Sequence, residues 1–205
     1  MTPAYWDQAT GELAAADAVL RRLVGQHDGL IVGSRGDAYS TLARAIVGQQ
    51  LSVKAAQSVW NRLCAELAAM TPVAMLATPG ERLRACGLSG SKVLYLKDLA
   101  ARFDSGALES EAWSALDDEA VISRLVEVKG IGRWTAEMFL IFYLNRPDVL
   151  PLDDLGLQRA MRVCYNRGRA LSAARMRKLG STWAPWRSVA TWYLWRSLDP
   201  IPVQY

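Results

Sequence analysis

The sequence predicts an all-α protein, and three observations carry that prediction. Apolar residues recur at steps of three and four in segment after segment, no stretch alternates apolar and polar residues as a half-buried strand does, and Gly and Pro punctuate the apolar segments at helix-length intervals. In chain order, a helix is expected over 40–48. Val53, Ala56, Trp60, Leu63 and Leu67 follow Ser52, a good N-cap, and predict a helix over 52–68. Another is expected at 80–86, and Val93, Leu96, Leu99 or Ala100, and Phe103 mark the next. Asp117 or Asp118 can cap a helix carrying Val121, Ile122, Leu125 and Val126, which stops before Gly130. A helix then runs from Arg133 to Leu144, and others are expected at 154–165, 172–179 and 186–198. Pro72, Pro79, Pro147, Pro151 and Pro185 mark first turns or interruptions. Internal repeats and low-complexity linkers are absent; the soft boundaries are near 28–38 and 104–118.

A chain of 205 residues with 51% hydrophobic and 21% charged residues can bury a core as one domain or two small packed lobes. The first twenty residues lack a basic region followed by an apolar one, and no later run approaches the length of a membrane span. Cys64, Cys86 and Cys164 stand far apart, which suits reduced thiols in a cytosolic compartment. The single histidine, His27, is too little for a zinc site or a Ser-His-Asp triad. Any chemistry rests on carboxylates, amides, hydroxyls or lysine.

The formal charge of +4 is unevenly spread: residues 1–120 hold 11 Lys+Arg against 14 Asp+Glu, whereas 121–205 hold 13 against 6. Between Leu155 and Leu198 there is no acid, while Arg159, Arg162, Arg167, Arg169, Arg175, Arg177, Lys178, Arg187 and Arg196 are all present. Helix-solvating arginines would come with interspersed acids. A polyanion, through its phosphates, is the partner this pattern fits.

Two local patterns suggest what is done to that partner. In "VKGIGRWTAEMF" a helix ending near Val128 meets the tight turn Gly130-Ile131-Gly132 and a second helix begins at Arg133, which is a helix-hairpin-helix. Unpaired N–H groups at a helix N-terminus favour an anion, and glycine lets a phosphate approach the main chain. About twenty residues later, "VLPLDDLGLQRA" places Asp153 and Asp154 at the start of the next helix. One of them is expected to be an N-cap. The other is then a carboxylate beside a strand that repels it, a costly placement that points to chemistry.

With "ARAIVGQQLSVKAA" upstream and "WAPWRSVATWYLW" downstream, these stretches span roughly residues 39–200. In that order they resemble the helix-hairpin-helix base-excision DNA glycosylases, in particular their alkylpurine branch, the 3-methyladenine DNA glycosylase II type. The resemblance implies an all-α, two-lobed helical bundle with an active-site cleft between lobes of about 35–145 and 1–34 plus 146–205. It leaves no room for the N-terminal β-rich domain that branch members often carry. It implies Asp154 as the catalytic carboxylate and Trp134, Met138 and Trp195 as the base pocket. The DNA contacts it implies are Gly130, Ile131, Gly132, Arg133 and Thr135 in the hairpin and Gln49, Gln50, Leu51 and Ser52 in the upstream stretch, with the wedge at Gln50 or Leu51.

The activity implied is excision of flipped alkylated purines of the 3-methyladenine and 7-methylguanine class from double-stranded DNA, leaving an abasic site. A cytoplasmic monomer, nucleoid-associated if the source is bacterial, is the expected form. Strand-cutting relatives carry a lysine two positions beyond the second glycine; here that residue is Trp134, so no lyase action is expected. Iron–sulfur relatives bear four closely spaced cysteines near the C-terminus, where this chain has only Cys164, so no cluster is expected. No cofactor is required, and a monovalent cation at the hairpin carbonyls is compatible with the family. Two alternatives stand beside this reading: a non-catalytic helix-hairpin-helix DNA-binding protein, and a glycosylase for deaminated or oxidised bases.

Overall fold

The computed structural model describes residues 2–27, 36–108 and 110–198. The described residues form twelve α-helices and one 3-10 turn, with no strand among them. The described residues divide into two compact units, those up to residue 27 with those from 140 to 198 (unit 1) and those from 36 to 139 (unit 2). Most of the soft boundary expected at 28–38, namely 28–35, lies outside the described residues.

Unit 1 contains α1 (Trp6–Ala16), α2 (Ala18–Gln26), α10 (Leu155–Asn166), α11 (Ala173–Ser181) and α12 (Arg187–Arg196). Its core joins Trp6, Leu13, Leu20 and Leu23 from the first two helices to Leu157, Met161, Trp183, Val189, Trp192 and Leu194. α12 is buried from Ser188 to Leu194 and again at Arg196, as expected of a helix with neighbours on every side. Asp17 caps α2 through Val19 N–H at 2.7 Å and Leu20 N–H at 3.1 Å, and its other oxygen accepts from Tyr165 Oη at 2.8 Å. One residue thus ends α1 through its backbone N–H and, through its side chain, starts α2 and ties that start to α10. The segment before α10 is pinned to α12: Arg187 forks onto Asp148 at 2.6 and 2.8 Å, and Ser188 Oγ accepts from Val149 N–H at 2.9 Å.

Unit 2 contains α3 (Ala38–Gly48), α4 (Val53–Leu67), α5 (Pro72–Ala77), α6 (Gly80–Ala85), α7 (Gly90–Asp104), the 3-10 turn at Ser110–Ala115, and α8 (Asp118–Val126). The start of α9 (Arg133–Phe142) completes it. Leu42, Ile46, Leu63, Met75, Leu83, Leu96, Leu99, Leu125 and Phe139 make its core. Asp37, Ser52, Thr71, Ser89 and Asp117 each accept a backbone N–H at a helix start, and caps of this kind are worth about 1 kcal/mol each. α7 packs against α3, α5 and α6. That position brings its side chains under two turns described below.

Candidate active site

In unit 1, Pro151 to Asp154 form a tight turn in which Asp154 N–H donates to Pro151 O at 3.0 Å, and α10 begins at the next residue. Asp154 is itself the N-cap: its Oδ1 accepts from Leu157 N–H at 2.5 Å. The same oxygen accepts from Trp195 Nε1 on α12 at 2.7 Å. Two N–H donors and the positive end of α10 therefore fix this carboxylate in a site where the residue is only 9% accessible. The expectation that one aspartate caps while its neighbour does chemistry needs correcting. Cap and implied catalytic residue are one side chain, and Asp153 is exposed to solvent.

Trp195 is half-buried and stacks on Phe142, with ring centroids 5.8 Å apart and planes 15° from parallel. A Cβ added at Gly156 would stand 3.0 Å from Asp154 Oδ1 and 3.2 Å from the Trp195 ring, so glycine keeps this corner open. Of the tryptophans near the C-terminus, Trp183 and Trp192 are core, while Trp186 stacks on Tyr5 and donates to Glu12. Phe142 was not singled out in the sequence; the helical spacing of α9 was its only signal.

Unit 2 holds the hairpin. α8 ends at Val126, Gly130 takes φ +80, Ile131 N–H donates to Val128 O at 3.0 Å, and Ala136 N–H donates to Gly132 O as α9 begins. The two glycines serve different ends. A Cβ at Gly130 would lie 2.2 Å from the Tyr95 ring, whereas at Gly132 it would meet nothing within 4 Å. At Gly132 the side a Cβ would occupy is open, whereas at Gly130 the Tyr95 ring fills it, so glycine is required there by packing as well as by its positive φ.

The remaining hairpin residues divide in the same way. Ile131 and Thr135 are buried, which takes their side chains away from any DNA contact. Arg133 is held by Glu119 through two hydrogen bonds and by Glu137 at 3.1 Å, and the Arg133 hydrogen bond lowers the Glu119 pKa. Its guanidinium is thus matched by two acids of its own unit instead of standing free for a phosphate. Trp134 is half-buried, and Met138, four residues on, is 4% accessible and belongs to the core.

Between α3 and α4, residues 48–51 make a type II turn: Leu51 N–H donates to Gly48 O at 3.2 Å, Gln49 has φ −52 and ψ 130, and Gln50 has φ +57. A glutamine in the left-handed region is uncommon and costs on the order of 1 kcal/mol. Gln50 and Leu51 are exposed at the tip, and Ser52 caps α4 through Ala55 N–H at 3.3 Å. Gln49, grouped with the DNA contacts in the sequence, instead donates its Nε2 to Gly130 O at 2.8 Å.

The profile of the HhH-GPD superfamily of base excision DNA repair proteins matches residues 43–185. The DNA-3-methyladenine glycosylase 1 of Schizosaccharomyces pombe is 37% identical over 182 residues, covering 87% of this chain and 80% of that protein. The structure of the 3-methyladenine DNA glycosylase of that yeast in complex with abasic DNA superposes with a TM-score of 0.82 at 35% identity, covering 93% of this chain and 96% of the other. That of a DNA-3-methyladenine glycosidase from Bacillus halodurans gives 0.84 at 31% identity, covering 93% and 89%. The chain belongs to the HhH-GPD superfamily of base excision DNA repair proteins.

Proposed function

We propose that this protein is a monofunctional DNA glycosylase that extrudes alkylated purines of the 3-methyladenine and 7-methylguanine class from duplex DNA and hydrolyses their N-glycosidic bond. The observation that carries the reading is Asp154 Oδ1 receiving two N–H donors, one of them from an indole that also offers a stacking face. A helix cap needs only the Leu157 donor; the Trp195 bond adds orientation that capping does not require. Breaking the glycosidic bond sends its electron pair to the departing base and leaves positive charge on the sugar. A fixed carboxylate stabilises that charge and orients the water whose oxygen bonds to C1′ as its proton is released, and such preorganised groups are worth ~10²–10³ in rate. An alkylated purine that carries a positive charge leaves without an added proton, so no general acid is needed. Its cationic ring stacks on Trp195 by cation–π attraction of ~1–2 kcal/mol.

The other members of the machinery follow from the same reading. Trp134 and Met138 are assigned to the base pocket by the resemblance, and Trp134 occupies the position where a Schiff-base lysine would stand, which supports hydrolysis without lyase action. Gln50 or Leu51, at the exposed turn, fills the gap left by the flipped nucleotide. The N-terminal amides of α9 beside Gly132 and the cations of α10 and α11 bind the phosphate backbone. A monovalent cation at the hairpin would have to share oxygens already in use, since Val128 O accepts from Ile131 and Gly130 O from Gln49.

The test is product analysis on methylated duplex DNA. Free methylated base should appear, strands should break only after alkali, and borohydride should trap no covalent adduct. Absence of free base overturns the enzymatic reading, and a trapped adduct overturns the monofunctional one.

A further inference from the structure

α7 carries three polar or aromatic side chains at three-residue steps, Lys92, Tyr95 and Asp98, and each engages one of the two turns just described. Lys92 Nζ donates to Val47 O and to Gln49 O, both at 2.8 Å, closing the C-terminal end of α3 where the type II turn begins. Burial lowers its pKa, as expected of an ammonium group drawn in against carbonyls. The Tyr95 ring lies against Gly130 so closely that no Cβ fits there. Asp98 Oδ2 accepts Lys129 N–H at 3.0 Å, and its Oδ1 lies 3.8 Å from Lys129 Nζ. Across the top, Gln49 Nε2 joins the first turn to the second at Gly130 O. Residues that face one way on one helix thus hold the exposed Gln50-Leu51 tip and the hairpin in a single closed frame.

We infer that Lys92 and Gln49 are positioning residues that fix the spacing between the extruding turn and the phosphate-gripping hairpin. The inference rests on the proposed function, because it presumes that both turns engage one duplex. The tip can push a nucleotide out only if it cannot recoil, and the hairpin is the fixed point against which it acts. Lys92 supplies the tie twice over, through the carbonyls on either side of Gly48, and Gln50 is held in its left-handed conformation by that closure. Removing the ammonium frees the end of α3 while leaving α8, α9 and the hairpin amides in place. Extrusion should then weaken, and phosphate binding and bond cleavage should not.

The experiment compares Lys92→Met, Lys92→Arg and Gln49→Leu with the natural protein in single-turnover excision of one 7-methylguanine. The lesion is placed opposite cytosine or opposite an abasic site, where little pairing opposes extrusion. Extrusion is read separately, in an Asp154→Asn background, from the fluorescence of 2-aminopurine next to the lesion. Lys92→Met should slow excision opposite cytosine at least tenfold, slow it far less opposite the abasic site, and reduce the fluorescence change, with the salt dependence of duplex binding unaltered. Lys92→Arg, which can still donate to both carbonyls, should recover most of the loss. Gln49→Leu should follow Lys92→Met in direction. Equal slowing on both substrates, or an unchanged fluorescence response in Lys92→Met and Gln49→Leu, overturns the inference. Fluorescence that changes normally without any excision by the natural protein would instead refute the proposed reaction.

Discussion

In unit 2 three arginines face acids, Arg82 with Glu66, Arg102 with Asp98 and Glu127, and Arg133 with Glu119 and Glu137, while Arg84 and Arg124 are exposed and show no salt bridge among the described residues. In unit 1 Arg187 pairs with Asp148, while Arg159, Arg167, Arg169, Arg175, Arg177 and Lys178 of α10, α11 and their connection are exposed and show no salt bridge among the described residues. Residues of the same type therefore contribute differently. Paired surface arginines add little to stability and little net field, whereas an unpaired set keeps a positive potential that draws phosphate. Net charge by sequence region counts Arg133 with the basic excess, yet the acids that pair with it lie fourteen residues before and four after.

The contrast can be broken most strongly by reversing the unpaired charges. Arg169→Glu, Arg175→Glu and Arg177→Glu together should lower the dependence of log K on log salt by about three for nonspecific duplex, if each cation meets one phosphate. Titration of fluorescent duplex at several salt concentrations measures it, and an unchanged slope would place the phosphate contacts elsewhere. Arg133→Gln should have the opposite profile, changing that slope by less than about one while removing one ion pair of the buried Glu137. With the arginine half-exposed, a cost of about 1 kcal/mol is expected, a few degrees in Tm.

The smallest effect uses the only histidine. His27 ends α2, and burial first, then the charge of Arg196, lower its pKa from 6.5. The unfolded chain therefore binds the proton more readily, so stability is intact above pH 6.5 and falls as the pH drops below it. His27→Gln should remove that part of the decline in chemical denaturation between pH 7 and 5.5. An unchanged decline would mean that carboxylates alone cause it.

Much of the helical pattern was legible because apolar spacing and caps agree: Ser52 and Asp117 cap the helices assigned to them, and nine expected helices correspond to α3, α4 and α6–α12. α1 and α2 were not anticipated. In α1 the buried face is Trp6, Ala9 and Leu13 amid other alanines, and a buried alanine looks like an exposed one in sequence. α5 has six residues, too few to show a period. At the site, Asp154 could be singled out from its neighbours, whereas its Trp195 donor is 41 residues away and Gln49 meets Gly130 across 81. Such pairs are created by packing, and no local pattern encodes them. Gly130 was legible as a turn glycine, but the Tyr95 ring that also requires it was not.

The most direct test of the catalytic role of Asp154 is single-turnover base release by Asp154→Asn, with duplex affinity measured on the same lesion. Asparagine caps helices as well as aspartate and still accepts from Leu157 and Trp195, so fold and binding should persist. Release should fall by ~10² or more. A variant that binds the lesion duplex and releases base at the natural rate would show that the charge at this position does not drive the reaction.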